Sequence, residues 1–487
     1  MKSFAILCLL LIPALAMAQT EVSGNQSGIW TVMNSPYLVT GEITVPNGQS
    51  LSIEPGVEVN FQGHYKFIVN GYLEAAGSEA EMIHFTTDNP TIGWGGIRID
   101  TSDFCSLSWC RIEYGKSSGE YPDMHGGGLA LIGSDAQITN CVFADNDATG
   151  GNLGMGGAVY AISTGGYSEP VTRFIDCTFI GNHCYGEGGA IKFSGDTNSE
   201  VIGCEFFGND CNYGGGAVAL YGALGTKMIN CTFADNYTMY SSGGAVSALG
   251  FSNFLTFVGC TISGNTAVTG DGGGVQLAYS DAYFVNTIIW DNPGMYSDDL
   301  FLDWGATADI NYCNMAMPSG GTGSHNMNQN PDFVNAGGLD FHLNEDSPCI
   351  DEGTAYFEVG GEIVIDLDPE EYYGIAPDIG AFEYSPETGV SSGFSAASKL
   401  YPNYPNPFVQ KTAISYQIAA DSQVALKVFD VRGREVRTLL SGGRSAGRGV
   451  ANWNGLDNTG RKMSPGVYFV RLQAGNEIQS MRVLLAR

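Results

Sequence analysis

Residues 175–182 read IDCTFIGN, and five more segments of this pattern lie between Thr139 and Asn292. In each segment an anchor residue, which is cysteine in all but the last, is followed five positions later by asparagine. The anchors are separated by 36, 27, 27, 29 and 27 residues and stand at Cys141, Cys177, Cys204, Cys231, Cys260 and Thr287. A period of this length indicates a solenoid, a propeller or an array of small units.

A second repeated element, a glycine pair followed by small and aliphatic residues, lies between these segments. Its copies are GGGLAL at 126, GGAVYA at 156, GGAIKF at 188, GGAVAL at 215, GGAVSA at 243 and GGGVQL at 272. Both elements alternate apolar and polar side chains, which is typical of β-strands with one buried face. The glycines leave no apolar helical stripe. The sequence therefore predicts an all-β fold, a right-handed parallel β-helix whose successive coils stack on one another.

Stacking places like residues above like residues. We expect the cysteines to form an inward ladder of buried thiols and the asparagines to hydrogen-bond from coil to coil. In the glycine-pair strands the apolar residues, such as Ile191 and Phe193, are predicted to point inward. The residues between them are predicted to point outward, namely Lys192, Ala219, Ser247 and Gln276.

The repeats resemble those of the chlamydial polymorphic outer-membrane proteins and their β-helix relatives. The resemblance is carried by GGA followed by Val or Ile, alternating with Phe-x-x-Asn as in Phe143–Asn146 and Phe179–Asn182. Ile262 and Ile289 depart from it, because they stand where phenylalanine is expected. The resemblance covers about a third of the chain and implies fold rather than function.

The chain before and after the repeats divides into further units. Residues 1–18, MKSFAILCLLLIPALAMA, have the features of a secretory signal peptide. We predict the β-helix over 19–315, with opening coils like those of many bacterial β-helix proteins, and a cap of the solenoid over 316–384. Residues 385–398 are rich in serine and glycine and are predicted to be a linker.

Residues 399–487 are predicted to form a small Ig-like β-sandwich. They contain alternating strands such as TAISYQI and ALKVFDV, and the segment PGVYFVRL at 465–472. With YPNPF at 404–408, this pattern resembles the C-terminal sorting domains of the type IX secretion system and the Ig-like module of flagellar hook-capping proteins. The resemblance implies that the secretion machinery is a partner and that the protein is secreted or held at the outer surface of a Gram-negative-type bacterium. Arg487 replaces the Lys-rich end common in that family.

Charge is divided unevenly along the chain. The formal net charge is −39 over residues 19–398 and +8 over 399–487. The acidic body argues against nucleic acid or an anionic membrane as the partner. No stretch after the first eighteen residues is long and apolar enough to predict a membrane span.

We found no catalytic motif, cofactor site or metal site in the sequence. The acidic groups Asp298, Asp299 and Asp303, and Asp366, Asp368, Glu370 and Glu371, are the candidates for catalysis, and the second group could hold a structural calcium ion. Cys184 and Cys211 are predicted to face each other on adjacent coils and to form a disulfide. The six histidines share no ligand spacing, and the Asp-Asn pairs at Asp145, Asp235 and Asp291 are predicted to be corner residues.

Three tyrosines recur just before the glycine pairs, at Tyr185, Tyr213 and Tyr240. They are predicted either to form an outer aromatic stripe for sugar rings or a partner protein, or to pack against a neighbouring loop. Because the repeats are regular throughout, the sequence favours a non-catalytic surface protein that adheres to or binds a glycan or a protein. The alternative is a polysaccharide lyase or glycoside hydrolase, which should break the repeat with acidic and basic side chains clustered on outward positions of adjacent coils. A purely structural surface component is not distinguished from the binding protein.

Overall fold

The computed structural model describes residues 19–486 apart from 101–104, 135, 151–152, 164–171, 196–198, 224, 360, 370, 385–397, 405–407, 409–411, 419–421, 431, 433, 445–446 and 476. The described residues form strands and two short 3-10 helices, Val32–Asn34 and Ala336–Gly338, and they contain no α-helix. The predicted signal peptide, most of the predicted linker and Glu370 lie outside this part of the chain. The all-β prediction is confirmed.

Parallel pairing between successive coils builds a 30-stranded β-helix with three main sheets. Sheet A contains the glycine-pair strands, and it comprises Phe67–Val69, Ile97–Asp100, Leu129–Ile132, Val159–Ile162, Ile191–Ser194, Val218–Tyr221, the first part of Val246–Val258, the first part of Val275–Val285, and Leu300–Asp303.

Sheet B follows sheet A in each coil. Its strands are Gly28–Trp30, Ser50–Ile53, Tyr72–Ala76, Cys105–Ser108, Ala136–Thr139, Thr172–Ile175, Glu200–Ile202, Lys227–Ile229, the later parts of Val246–Val258 and Val275–Val285, Thr307–Asn311 and Gly321–Thr322.

Sheet C contains the segments that follow the anchor residues. Its strands are Glu58–Phe61, Ile83–Thr86, Cys110–Glu113, Val142–Ala144, Thr178–Ile180, Glu205–Phe207, Thr232–Ala234, Thr261–Ser263 and Ile288–Trp290. The first two long strands, Thr20–Asn25 and Tyr37–Val45, pair with each other, and Tyr37–Val45 starts both sheet C and sheet A.

A narrower sheet D follows sheet C at the next corner and leads back to sheet A. Its six strands are Lys116–Ser118, Asp147–Gly150, His183–Cys184, Asp210–Cys211, Tyr237–Thr238 and Thr266–Ala267. The loops from sheet D to sheet A carry the recurring tyrosines. The register is constant from coil to coil, as the spacing of the anchors predicts.

The inside of the solenoid is filled by stacked identical side chains. Phe143, Phe179, Phe206 and Phe233 lie in one column with ring planes nearly parallel and centroids 5.0, 4.8 and 4.6 Å apart. The ladder cysteines from Cys141 to Cys260 are buried thiols, as predicted. Burial raises the pKa of the Cys141 thiol. These thiols are therefore packing groups with no exposed nucleophile.

The regularly spaced asparagines form a second inner ladder. The side-chain amide of Asn182 donates to Oδ1 of Asn209 over 2.9 Å, and Asn209 does the same to Asn236. Each backbone N–H in the ladder donates to the same oxygen, as that of Asn182 does to Asn209 over 3.0 Å. The ladder runs from Asn146 to Asn292, and it confirms the predicted coil-to-coil hydrogen bonding. The buried side-chain amides of the ladder asparagines thus have hydrogen-bond partners at each of these corners.

The segment after the last coil has two parts. Gly321–Thr322 pairs with the sheet B strand Thr307–Asn311, and Met327 bridges to Asn314, so this part covers the end of the solenoid. Residues 331–384, which we call the strap, run along its side. The strap contains the hairpins Phe333–Asn335 with Asp340–Leu343 and Tyr356–Val359 with Glu362–Asp366.

The strap is held on the outside of sheets B and C by apolar and polar contacts. Phe341 packs on Phe207 and Ala234, and Ile365 packs on Val258 and Val285. Hydrogen bonds also join the strap to the solenoid, such as the one from the Ala381 N–H to Thr261 Oγ1 over 3.0 Å. The strap thus covers outward positions that are apolar in sequence.

The C-terminal residues form two antiparallel sheets. One contains Lys399–Tyr404, Thr412–Ile418 and Gly447–Trp453, and the other contains Ser422–Asp430, Glu435–Arg444, Gly466–Ala474 and Glu477–Leu485. Trp453 is fully buried between them, and its ring packs 5.0 Å from that of Tyr468. This is the arrangement that the alternating strands predict for an Ig-like sandwich.

Candidate functional site

In the outward column of sheet A the residue changes at each coil. In register the column contains Arg98, Ala130, Tyr160, Lys192, Ala219, Ser247 and Gln276. The sequence correctly places the last four on the outer face. However, Lys192 and Ala219 are each only 2% exposed, because loops and neighbouring side chains cover the column. The covered part of the column from Arg98 to Lys192 is our first candidate site.

Arg98 is the first residue of this part of the column and is buried. Its Nη1 donates to the carbonyl of Gly126 over 2.6 Å, and its Nε lies 3.9 Å from Oδ1 of Asp123. Among the residues that the structure describes, nothing accepts a hydrogen bond from Nε or Nη2, although both atoms are shielded from solvent. Burial lowers the pKa of Arg98 to about 10, against the opposing effect of Asp123, so the guanidinium stays charged at neutral pH.

A loop over residues 119–125 covers Arg98. Asp123 in this loop forms an ion pair with Lys66 over 2.6 Å, and the Oγ of Ser117 donates to the carbonyl of Met124 over 2.7 Å. At the end of the loop, Nδ1 of His125 accepts a hydrogen bond from the Met155 N–H over 3.0 Å. The loop is therefore attached to the coils on both sides by few, mostly polar contacts.

His125 lies beside the column, at Tyr160. Its ring stacks 4.4 Å from that of Tyr160 and meets Tyr121 edge-on at 5.7 Å. Burial, together with the positive charges of Arg98 and Lys192, lowers the pKa of His125 to about 4. Burial raises the pKa of Tyr160 to about 12. Both rings are neutral at physiological pH, with Nε2 of His125 carrying the proton because Nδ1 is an acceptor.

Lys192 continues the column on the next coil. Its ammonium is paired with Glu187 and lies 5.7 Å from the centre of the Tyr221 ring. Lys66, Arg98 and Lys192 are three of only seven basic residues in the acidic body over 19–398. They lie on one face of the solenoid with two carboxylates, Asp123 and Glu187, and Lys192 is three coils after Arg98. Sequence reasoning missed this cluster, although basic residues at the outward strand positions of Arg98 and Lys192 were a visible signal.

The recurring tyrosines form a second candidate site along the loops between sheets D and A. Tyr185, Tyr213 and Tyr240 are 40%, 43% and 62% exposed, and their ring centroids are separated by 5.9 and 6.1 Å. The pKa of Tyr213 is raised by a hydrogen bond with the Tyr185 hydroxyl. The predicted outer stripe is therefore present, and each ring also packs against the tyrosine of a neighbouring loop.

The stripe is fixed by the backbone and is longer than predicted. The N–H of Tyr213 donates to the carbonyl of Gly186 over 3.0 Å, and that of Tyr240 donates to Asn212 over 2.8 Å. The equivalent loops of the flanking coils also expose apolar side chains, namely Leu153, Val268, Met295 and Tyr296. Together with the three tyrosines they make an apolar row across six coils, which we call the tyrosine row.

The first acidic group from the sequence is divided among backbone partners. Oδ1 of Asp299 accepts from the N–H and the side-chain amide of Asn292, over 3.2 and 3.0 Å, and thus ends the asparagine ladder. Asp298 accepts from the Gly294 N–H and Asp303 from the Trp304 N–H. Burial raises the pKa of Asp299 to about 6. These carboxylates serve the loop and the ladder, and do not form a pair across a common ligand.

The second acidic group lies in the strap. Asp366 is exposed at the end of a hairpin, and Glu371 accepts from the Asp368 N–H over 2.8 Å. Within the part of the chain that the structure describes, no three His, Cys, Asp or Glu side chains are arranged to hold a metal ion. A structural calcium ion stays a prediction. Asp145, Asp235 and Asp291 all have φ between 53° and 57°, which confirms them as corner residues.

Cys184 and Cys211 are aligned on adjacent coils of sheet D, as predicted. Both are buried thiols beside Ala148, and the Cys211 Sγ lies 3.7 Å from the Thr238 hydroxyl. The predicted disulfide between them is therefore not formed in this structure. Parallel in-register pairing brings the two residues close, but in this packing the thiols serve as small apolar groups.

The profile of the right-handed β-helix region matches residues 95–298, and that of the FlgD Ig-like domain matches residues 406–477. The chain is a β-helix followed by an Ig-like domain. Among solved structures it is similar to PorZ, described as an essential bacterial surface component of the type IX secretion system of Porphyromonas gingivalis, at 17% identity. The aligned part covers 26% of this chain and 19% of that chain, with a TM-score of 0.16, too low to carry an argument about function.

No curated protein matches the chain. Among the described residues there is no helical stretch with the length and hydropathy of a membrane span.

Proposed function

We propose that the solenoid is a non-catalytic binding protein whose tyrosine row docks along a glycan chain. The observation that carries this proposal is the exposure of Tyr185, Tyr213 and Tyr240 at a regular 6 Å spacing. An aromatic ring offers a flat apolar face to the C–H groups of a sugar, and its hydroxyl bonds to the sugar hydroxyls. Successive coils repeat this platform, so one extended ligand contacts several rings at once.

The tyrosine row is preorganised for binding. Its backbone is fixed by hydrogen bonds between neighbouring loops, so binding requires little ordering of the protein. A continuous exposed row of large apolar side chains marks an interaction surface. Apolar side chains that are scattered singly over a surface have no such meaning. The acidic body is suited to a neutral face of a sugar, since it repels polyanions over most of its surface.

The test is a glycan array with the full chain, followed by calorimetry on the best ligand. We expect Tyr213→Ala and Tyr240→Ala each to weaken binding by about fivefold, which corresponds to about 1 kcal/mol for one lost aromatic contact. The matched control is Tyr356→Ala, an exposed tyrosine of the strap, which should leave the affinity unchanged.

Two outcomes would contradict the proposal. Release of reducing or unsaturated ends from the bound polysaccharide would make the solenoid an enzyme. Binding to a protein that survives removal of its glycans, with the same tyrosine dependence, would make the row a protein-docking surface. Either measurement uses the same three variants, so the tyrosine row is tested in each case.

We propose further that residues 399–487 address the protein for export by a type IX-like route and for attachment to the outer surface. The similarity to the FlgD Ig-like domain over 406–477 and the basic charge of this unit support the proposal. In a bacterium that carries this secretion system, a fluorescent protein joined to residues 385–487 behind a signal peptide should reach the cell surface. The same fusion should stay in the periplasm when 399–487 is removed, and equal export of both forms would contradict the proposal.

A further inference from the structure

The guanidinium of Arg98 is charged, buried and only partly used. Its Nη1 has a carbonyl partner at Gly126, whereas Nε and Nη2, which form the other edge of the planar group, have no acceptor among the described residues. A buried polar group without a partner costs about 1–3 kcal/mol, and more when it is charged. A fold with so few cations that retains such a group on an outward strand position indicates a ligand rather than packing.

The unused edge has the geometry of a carboxylate receptor. Nε–H and Nη2–H point in parallel and bind the two oxygens of a carboxylate together. The nearest protein carboxylate, Asp123, is 3.9 Å from Nε and is already paired with Lys66 at 2.6 Å. Gly96 makes room for the group, because a Cβ there would lie 3.0 Å from Nη1. The guanidinium thus rests on bare backbone at Gly96, and its Nε lies nearest to Asp123 of the loop over 119–125.

The surroundings suit one sugar unit that carries a negative charge. Lys66 lies one coil before Arg98 and Lys192 three coils after it, and each is paired with a carboxylate. The neutral rings of His125 and Tyr160 supply flat faces between them. Tyr121, at the exposed tip of the loop, contacts His125 edge-on. Elsewhere over 19–398 the net charge is strongly negative, so this cluster is the favourable place for an anion on the solenoid.

The position of the cluster connects it with the tyrosine row. The loop over 119–125 leads into the sheet A strand two coils before the strand that follows Tyr185. Two coils correspond to about 10 Å along the axis, at about 4.8 Å for each coil. A glycan that lies along Tyr240, Tyr213 and Tyr185 therefore reaches the loop with its next units.

We propose that the loop over 119–125 covers a binding site for the carboxylate of an acidic sugar, and that Arg98 receives this carboxylate through Nε and Nη2. The loop opens to admit the sugar. Its ion pair to Lys66 is partly exposed and contributes little to its closure. The identity of the ligand as a glycan rests on the proposed function, whereas the Arg98 site itself does not. The ligand class of the solenoid then becomes a largely neutral polysaccharide with single uronate units, because the acidic body repels a polyanion.

The test compares two hexasaccharides by calorimetry on the full chain, namely cellohexaose and an acidic derivative in which only the last unit is a glucuronate. We expect the wild-type chain to bind the acidic oligosaccharide about tenfold more tightly, which corresponds to about 1.4 kcal/mol, because Arg98 adds a charge-assisted pair. Arg98→Met should abolish this preference while neutral binding persists. Arg173→Met, which removes a half-exposed solenoid arginine paired with Glu200, should leave the preference unchanged.

Stability separates a binding role for Arg98 from a structural one. Replacement of a buried, partly unpaired charge by an apolar side chain of similar size is commonly neutral or stabilising. Arg98→Met should therefore melt at the same temperature as the wild-type chain or higher in the absence of ligand. A lower melting temperature combined with an undiminished preference for the acidic hexasaccharide would overturn the proposal.

If neither hexasaccharide binds, the proposed glycan-binding function of the tyrosine row is wrong. A third measurement then still tests the Arg98 site. Methyl glucuronoside, methyl glucoside and glucose 6-sulfate are titrated by ligand-observed NMR. Binding of the glucuronoside alone, lost in Arg98→Met, would support the carboxylate site without the tyrosine row. Stronger binding of the sulfate, or no binding of any of the three, would overturn the carboxylate assignment.

Discussion

Two columns of side chains run along the same coils and follow opposite rules. The inner ladder repeats asparagine at each of six coils from Asn146 to Asn292, and each amide bonds to the next. The outward column of sheet A changes at every coil and contains arginine, alanine, tyrosine, lysine, alanine, serine and glutamine in turn. Both columns are largely buried, so exposure does not explain the difference.

The difference lies in what each residue needs from its neighbour. An asparagine in the ladder uses the oxygen of the next coil as its acceptor, so any other residue leaves donors unsatisfied on both sides. A residue in the outward column has only a lateral neighbour and a covering loop. It can therefore vary without disturbing the coil beneath. Repetition along the ladder therefore marks residues that bond from coil to coil, whereas a residue of the outward column can vary under the loop that covers it.

The largest effect is expected when the inner ladder is interrupted in its middle. Asn209 accepts from the N–H and the side-chain amide of Asn182 and donates to Phe179 and Asn236. Asn209→Ala leaves several of these buried groups without partners, and we expect the free energy of unfolding to fall by about 4 kcal/mol. Urea denaturation measures the loss.

The control for this change is Asn25→Ala, which alters an exposed asparagine of the first strand and should change stability by less than about 0.5 kcal/mol. A loss below about 1 kcal/mol for Asn209→Ala would mean that water or repacking replaces the ladder bonds. Repetition would then reflect a shared origin of the coils more than a physical requirement.

The repeated parts of the molecule could be predicted from the sequence for the same reason. A residue that must match its counterpart in the next coil announces its role by its spacing, as Cys177, Asn182 and Tyr213 do. The inward ladder, the corner aspartates and the tyrosine row were all predicted in this way. Their structural positions follow from the period alone, without knowledge of any distant contact.

The covered parts could not be predicted because their contacts have no period. Arg98, Asp123 and His125 meet through a loop that belongs to one coil, and nothing in the spacing indicates that it folds back over the sheet. The strap is a second case. Phe341 packs on Phe207, more than a hundred residues away, and an apolar strand pattern does not say which outer face it will cover.

A medium effect is expected where the ladder ends. Asp299 takes the place of the next asparagine, and its buried carboxyl has a pKa raised to about 6. The unfolded value is about 3.9, so the folded state binds the proton more tightly, and the wild-type chain loses stability as the pH rises from about 4 to about 6.

Asp299→Asn keeps an acceptor oxygen for Asn292 and removes this loss. We expect the variant to be more stable than the wild-type chain by about 2 kcal/mol at pH 8 and about equal to it at pH 4. Thermal unfolding at both pH values measures the difference. The same gain at both pH values would show that ionisation of Asp299 is not the cause, and Asp298→Asn, on the exposed neighbour, is the matched control.

The smallest effect is expected in the outward column, on the strand where the two rules meet. Ile191 and Lys192 are adjacent and both buried, but Ile191 points into the coil and Lys192 points away from it. Ile191→Ala should cost about 3 kcal/mol because it leaves a cavity among stacked side chains. Lys192→Met should change stability by about 1 kcal/mol or less.

The reason is that Lys192→Met exchanges two opposing contributions. The variant loses the ion pair with Glu187 but no longer buries an ammonium, and its chain still packs beside Tyr221. Glu187 is partly exposed and is solvated when its partner is removed. Urea denaturation of both variants tests the comparison directly. If Lys192→Met costs as much as Ile191→Ala, the outward column is as structural as the interior of the coils, and its variation does not reflect a weaker structural demand.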